Sequence, residues 1–360
     1  MHKFVAVRIA PLWSIIAMAI GATCALVCAA PRTIAKSQHR VVASAAKIPS
    51  RSFEFHYGVD IPAPPAGSHR LRLWVPLPYR NFDYQTVSDL RITSPVEYQI
   101  RSERRFNDRY AYFDLHATRI KQPFHIEIVF QVKRFEDRVS LHTIPSAPAR
   151  TEAIDRFLQP DRLVPTDGEI GELSRQQTEG ANQPLEKARK IYDYVIATVH
   201  YDHAGTGWGR GDAVWACNAK HGNCTDFHSL FIGMARAAGI PARFEIGFPL
   251  PTNVTSGAIA GYHCWAEFWI DGVGWIPIDA SEAWQDPTKK NYFFGAIDAN
   301  RVMFSLGRDV ELSPEPAAGS LNYFVYPYAE IDGKPLTDLK REFSFRDDTI
   351  PGQTIAGNRP

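Results

Sequence analysis

The chain has 360 residues, 45% of them hydrophobic and 22% charged, with a formal net charge of +1. That balance allows a well-packed globular core. With no long run of one sign, it argues against a nucleic-acid binder, which should carry a basic face. The length points to more than one domain.

At the N-terminus, His2, Lys3 and Arg8 precede an uncharged stretch from Ile9 to Ala30, closed by Pro31-Arg32. A basic start, an apolar run and small residues after it are the pattern of an export signal. The run also approaches the length of a membrane anchor. Pro31 disfavours cleavage after Ala30, while Ala43-Ser44-Ala45 offers a later site. Residues 1–47 are thus expected to be a signal or anchor followed by a polar linker. The protein is expected to be exported, periplasmic or extracellular, with inner-membrane anchoring as the alternative.

From Ser52 to Val139 the apolar period is two. Phe53, Phe55, Tyr57 and Val59 alternate with polar or small residues, as do Phe124, Ile126, Ile128, Phe130 and Val132; Leu71, Leu73 and Val75 form a further run. Such alternation predicts half-buried strands, so residues 48–145 are expected to form an antiparallel β-sandwich. The period then changes. Leu185, Ala188, Ile191, Tyr192 and Val195 follow Pro184 at helical spacing. Thr225–Ala238 repeats the pattern, with Asp226 and Arg236 off its apolar face and Gly239-Ile240-Pro241 as its stop. Ala242–Phe248 and Tyr262–Ile270 read as strands. Asp271-Gly272-Val273-Gly274 turns the second of these back into Trp275–Asp279, making a hairpin. The tail from residue 311 to 360 is expected to be a β or irregular extension packed on the core, strand-like at Tyr323–Val325.

Five cysteines are present, Cys24, Cys28, Cys217, Cys224 and Cys264. Three lie in the body of the chain, so at least one has no intramolecular partner. Cys224 stands where a glycine-containing loop meets the predicted helix. The unpaired N–H groups of a helix N-terminus stabilise a thiolate and can hold a developing oxyanion. A nucleophile of this kind needs a base and a group to orient that base. The hairpin brings His263, at the start of one strand, beside Asp279, at the end of the next. A carboxylate there would fix the imidazole tautomer.

Four blocks carry a resemblance. Gly222-Asn223-Cys224-Thr225-Asp226-Phe227, Arg236-Ala237-Ala238-Gly239-Ile240-Pro241-Ala242-Arg243, His263-Cys264-Trp265-Ala266-Glu267 and Gly274-Trp275-Ile276-Pro277-Ile278-Asp279 together resemble the transglutaminase-like superfamily over roughly residues 185–285. The resemblance implies an α+β, papain-like core over residues 146–310. In it the cysteine-bearing helix packs on an antiparallel sheet, and Cys224, His263 and Asp279 form a catalytic triad. It also implies attack on a carboxamide through a thioester, ending in hydrolysis or in transfer to an amine. A β-domain before such a core resembles exported bacterial members.

Candidates for a second oxyanion donor are Tyr201, which follows the helix as a tyrosine often does in this superfamily, Asn223 beside the thiol, and the indoles of Trp208 and Trp215. Cys217, His221, Cys224 and His228 lack the short cysteine pair of a structural zinc site, and no H-E-x-x-H motif occurs, so neither metal nor other cofactor is expected. Cys264 should point away from the His263 face into the core, and a Cys217–Cys264 disulfide is open. The expected partner is a peptide or protein amide, with cell-wall peptide suggested by the compartment alone. The contrary expectation is a catalytically silent binding or scaffolding module of the cell envelope.

Overall fold

Apolar alternation builds the first half of the molecule, seen in a computed structural model that describes residues 48–80, 82–141, 150–337 and 339–348; the expected export segment lies outside them. β1 (Ser50–Ile61) turns Phe53, Phe55, Tyr57 and Val59 to one face, all fully buried. β2 (Arg70–Pro76) buries Leu71, Leu73 and Val75 in the same way. β3 (Gln85–Thr93), β4 (Gln99–Ser102), β5 (Arg109–His116), β6 (Phe124–Phe135) and the short β7 (Asp137–Arg138) follow.

The helical part begins with α1 (Glu152–Asp155) and α2 (Gly168–Thr178). α3 (Pro184–Thr198) starts on proline, where a missing N–H costs nothing. β8 (His200–Tyr201), α4 (Ala213–Ala219) and β9 (His221–Gly222) lead into α5 (Cys224–Ala237). This helix is buried from Cys224 to Arg236, because α2, α3 and α4 cover one side and the sheet the other. Asp226 and Arg236, expected off its apolar face, are therefore inside as well. Arg236 is satisfied there by Asp161 at 2.7 Å and by the carbonyl of Ala242, as a buried charge must be.

The sheet behind α5 is built from β10 (Ala242–Pro249), β12 (His263–Ile270), β13 (Gly274–Ile278) and β15 (Arg301–Leu306), in the order β13-β12-β10-β15. The β12–β13 hairpin pairs Ile270 with Gly274 and Ala266 with Ile278. Between these strands come the short β11 (Ser256–Ala258), α6 (Ala280–Gln285) and β14 (Ala296–Ile297). The chain closes with β16 (Tyr328–Ile331), β17 (Lys334–Pro335) and β18 (Lys340–Asp347).

The β-sandwich draws on both ends of the chain. One sheet runs β11-β18-β1-β6-β3 and the other β17-β16-β2-β5-β4. The strands of the tail thus lie in the sandwich sheets: β18 pairs with β1 and β16 with β2. Tyr323–Val325, expected as a strand, makes no ladder. Its groups are used singly, the carbonyl of Phe324 accepting from Ser305 Oγ at 2.6 Å and that of Val325 from the Tyr57 hydroxyl at 3.1 Å. The architecture is α+β, a β-sandwich joined to a core in which a helix beginning at cysteine packs on an antiparallel sheet.

Phe304 of β15 joins the two parts. Its ring lies 5.8, 5.6 and 5.9 Å from those of Phe55, Tyr57 and Phe130 in the sandwich, and 5.1 Å from Phe248 on β10. A polar tie runs beside it, where the Tyr84 hydroxyl donates to buried Glu245 at 2.8 Å. Phe304→Ala is expected to cost about 3–5 kcal/mol, the range for deleting a buried aromatic ring. Urea unfolding should show sandwich and core weakened in one transition; loss of the sandwich signal alone would count against a shared core.

Candidate active site

Cys224 is the first residue of α5, and the residue before it builds the helix start. Asn223 Oδ1 accepts from Thr225 N at 2.9 Å, and Asp226 Oδ2 accepts from Asn223 N at 2.9 Å, a reciprocal capping box. The N–H of Cys224 itself has no intrahelical acceptor at this position. Cys224 is 2% exposed.

His263 opens β12 and Asp279 follows β13 as the N-cap of α6. His263 Nε2 and Asp279 Oδ2 are 2.7 Å apart. This leaves Nδ1 free of the carboxylate, and the imidazole and the Cys224 side chain lie close enough to shift each other's protonation. The structure thus brings Cys224, His263 and Asp279 together. Asp279 is fully buried and richly satisfied. Arg301 Nη1 donates to Oδ2 at 3.0 Å, while Ser281 Oγ and Glu282 N donate to Oδ1 at 2.9 and 3.0 Å.

The electrostatics follow from these contacts. Burial opposes the Cys224 thiolate, but hydrogen bonds from Cys264 and His263 and the imidazolium charge overcome it, so the thiol lies well below its ordinary range. Burial likewise opposes the imidazolium; Asp279 and the thiolate prevail, and the pKa of His263 is pushed up to about 10. For Asp279, desolvation is outweighed by the charge and hydrogen bond of His263 and by Arg301, which hold it well below the usual carboxylate range.

The four oxyanion candidates separate. Tyr201 packs against Phe227 and Trp284. Burial first, then the nearby Cys224 thiolate, raises its pKa, and its hydroxyl has no hydrogen-bond partner among the described residues. Asn223 is tied down, its Nδ2 donating to the Tyr262 hydroxyl at 2.9 Å. Trp208 stacks on His203 at 4.4 Å. Trp215 Nε1 lies against Gly207, 2.6 Å from where a Cβ there would stand, so that residue must be glycine. No contact links either indole to Cys224. The residues weighed as a zinc set do not converge either. Cys217 Sγ faces Glu169 at 3.7 Å, His221 packs on Trp215, and no metal-binding group of three occurs among the described residues. Cys217 and Cys264 are both free thiols.

Several roles at the site escaped the sequence reading. His228 Nδ1 is 2.7 Å from the Cys224 carbonyl, and its Nε2 accepts from Ala280 N at 3.1 Å, which places the proton on Nδ1. Its spacing of four from Cys224, one turn along the helix, was the available signal. Arg301 had none. Asp226 accepts from Gly209 N at 2.7 Å and Gly211 N at 2.9 Å, pinning the glycine-rich loop over the helix start. Any side chain at Gly222 would collide with it, so Gly222 makes room for Asp226. Tyr323 donates to the Gly209 carbonyl at 3.0 Å, and the Tyr326 hydroxyl accepts from Tyr262 N at 3.2 Å. Cys264 is fully buried as expected. Its thiol nevertheless meets Cys224, because α5 packs across the face of β12 to which it points.

A cysteine at a helix N-terminus, packed on an antiparallel sheet that supplies histidine and aspartate, defines a papain-like α+β core. Residues 171–280 match the model of the transglutaminase-like superfamily. An uncharacterized protein of Haemophilus influenzae is 29% identical over 334 residues, covering 81% of this chain and 89% of its own. A candidate cysteine protease from Cytophaga hutchinsonii shares the fold, with a TM-score of 0.60 at 20% identity over 84% of this chain and 92% of that one. The periplasmic domain of TgpA from Pseudomonas aeruginosa aligns over 61% of this chain and 72% of its own, with a TM-score of 0.37 and 17% identity.

Asp226→Ala would leave three backbone N–H groups without their acceptor, at an expected cost of about 1–3 kcal/mol. Hydrogen exchange at Gly209 and Gly211 should quicken while the sandwich amides stay unchanged; uniform quickening would show a global effect instead. The His263 pair also sets a pH dependence of stability. Its raised pKa adds stability that is complete below the unfolded value of about 6.5. That contribution should fade as pH rises through about 10, and urea midpoints of wild type and His263→Ala should converge there.

Proposed function

We propose that this protein is a cysteine-dependent enzyme of acyl chemistry acting on peptide or protein carboxamides. The observation that carries the reading is the contiguous array of Cys224, His263 and Asp279, with 2.7 Å between imidazole and carboxylate. The Cys224 thiolate attacks the amide carbonyl, and the oxyanion forms beside the free N–H of Cys224 and the unpartnered Tyr201 hydroxyl. His263, protonated at rest, gives its proton to the departing amine, and a thioester remains on Cys224. Water or a second amine, deprotonated by the now neutral imidazole, releases the acyl group. Asp279 keeps Nε2 engaged, so that Nδ1 faces the sulfur throughout. Export, read from residues 1–47, would put this chemistry in the cell envelope, where wall peptides and envelope proteins supply amides.

The silent-module reading draws on the burial of Cys224, and thiol reactivity separates the two. Alkylation of wild-type Cys224 is expected to proceed well below the ordinary thiol pKa, and His263→Ala should move its midpoint upward. Asp279→Asn should lower turnover of an amide substrate by about 10³-fold or more, and Tyr201→Phe by about 10-fold or more. The pH profile should be a plateau bounded above at about 10 by His263. A Cys224 that titrates like a free thiol in both proteins would leave a binding module.

A further inference from the structure

A second thiol beside the nucleophile serves no step of the amide chemistry. Cys264 is fully buried, and its thiol neighbours that of Cys224 closely enough for each to shift the other's protonation. One imidazole ties their elements together, since His228 Nδ1 lies 2.7 Å from the Cys224 carbonyl on α5 and 3.5 Å from Cys264 Sγ on β12. Both cysteines are reduced, and the remaining body cysteine, Cys217, faces Glu169 and Lys220 instead. Pure packing would be met by an apolar side chain, as its ladder partner Ile246 shows.

We propose that Cys224 and Cys264 are a reversible thiol–disulfide pair, a modification site for oxidants of the peroxide class. The Cys224 thiolate attacks one peroxide oxygen; the O–O bond breaks, one water leaves after taking up a proton, and Cys224 becomes a sulfenic acid. Cys264 sulfur then attacks the Cys224 sulfur. The S–S bond forms, the S–O bond breaks, and the hydroxide departs as a second water with the Cys264 proton. In sum two thiols are oxidised to a disulfide and one peroxide is reduced to two waters. A dithiol reverses the step by exchange. The order is set by charge: burial and the neighbouring thiolate keep Cys264 protonated at rest, and the thiolate's opposition ends once Cys224 is a neutral sulfenic acid. The disulfide withdraws the nucleophile while sparing it from irreversible oxidation. This reading requires a reactive Cys224 but no turnover, so it can stand or fall apart from the amide chemistry.

The test is to treat the reduced full chain with an excess of hydrogen peroxide and map its peptides without reduction. A Cys224–Cys264 cross-linked peptide is expected in the wild type, and dithiothreitol should return Cys224 to the alkylatable state. In Cys264→Ser, Cys224 should gain two oxygens, leaving at least ~10-fold less recoverable thiol than in wild type. Over-oxidation of wild-type Cys224 without the cross-link, or a cross-link through Cys217, would overturn the proposal. The wild-type measurement decides it even if the variant does not fold.

Discussion

A carboxylate without exposed surface, that of Asp279, is the constraint around which the core is arranged. Taking such a group out of water is costly unless its lone pairs are met by well-placed donors and an opposing charge. Here the donors come from different parts of the chain: His263 from β12, Arg301 from β15, Ser281 and Glu282 from the start of α6. His228 on α5 stands 3.5 Å from the same carboxylate. Each donor brings its element with it, so one buried charge sets the relative position of two strands and α6. The imidazole is thereby presented to the sulfur at the head of α5.

The β-sandwich belongs to this arrangement. β15 carries Arg301 at its start and Phe304 near its middle, so the strand that neutralises Asp279 is the one wedged among Phe55, Tyr57 and Phe130. Gln85 on β3 holds the same strand through Met303, accepting from its N–H at 2.8 Å and donating to its carbonyl at 3.0 Å. The segment leading to β16 brings Tyr323 and Tyr326 against Tyr262 and the glycine-rich loop. Arg308, almost fully buried, reaches the carbonyls of Arg210 and Gly211 and the Ser229 hydroxyl. The site is thus walled by pieces of the chain as far beyond its cysteine as Tyr326.

What the sequence made legible was local. Cys224 before an amphipathic run, and His263 and Asp279 at the two ends of a hairpin, needed only helix and strand periods to be placed. The alternating runs of β1, β2 and β6 were equally plain. Contacts that depend on distant returns of the chain carried no such mark. Arg301 reads as the start of one more strand, and Tyr323–Val325 has strand composition although its groups are spent on single bonds to Ser305, Tyr57 and Gly209. Periodicity marks one apolar face of α5 but is silent about what covers the other, so the burial of Asp226 and Arg236 was out of reach. The pairing of β16 and β18 with β2 and β1 was hidden for the same reason, since register is set by the partner strand.

Burial acts against each charge in the site, and only their mutual presence reverses it. The thiolate is favoured by the imidazolium, the imidazolium by the thiolate and Asp279, and Asp279 by the imidazolium and Arg301. Such groups act as a unit whose members cannot be assigned separate shares. Neutralising any one lets desolvation win at its neighbours, and the array then relaxes toward thiol and neutral imidazole. Cys264 enters this balance on the same side as His263, favouring the thiolate. The second thiol is therefore a support for the Cys224 thiolate as well as its proposed partner under oxidation.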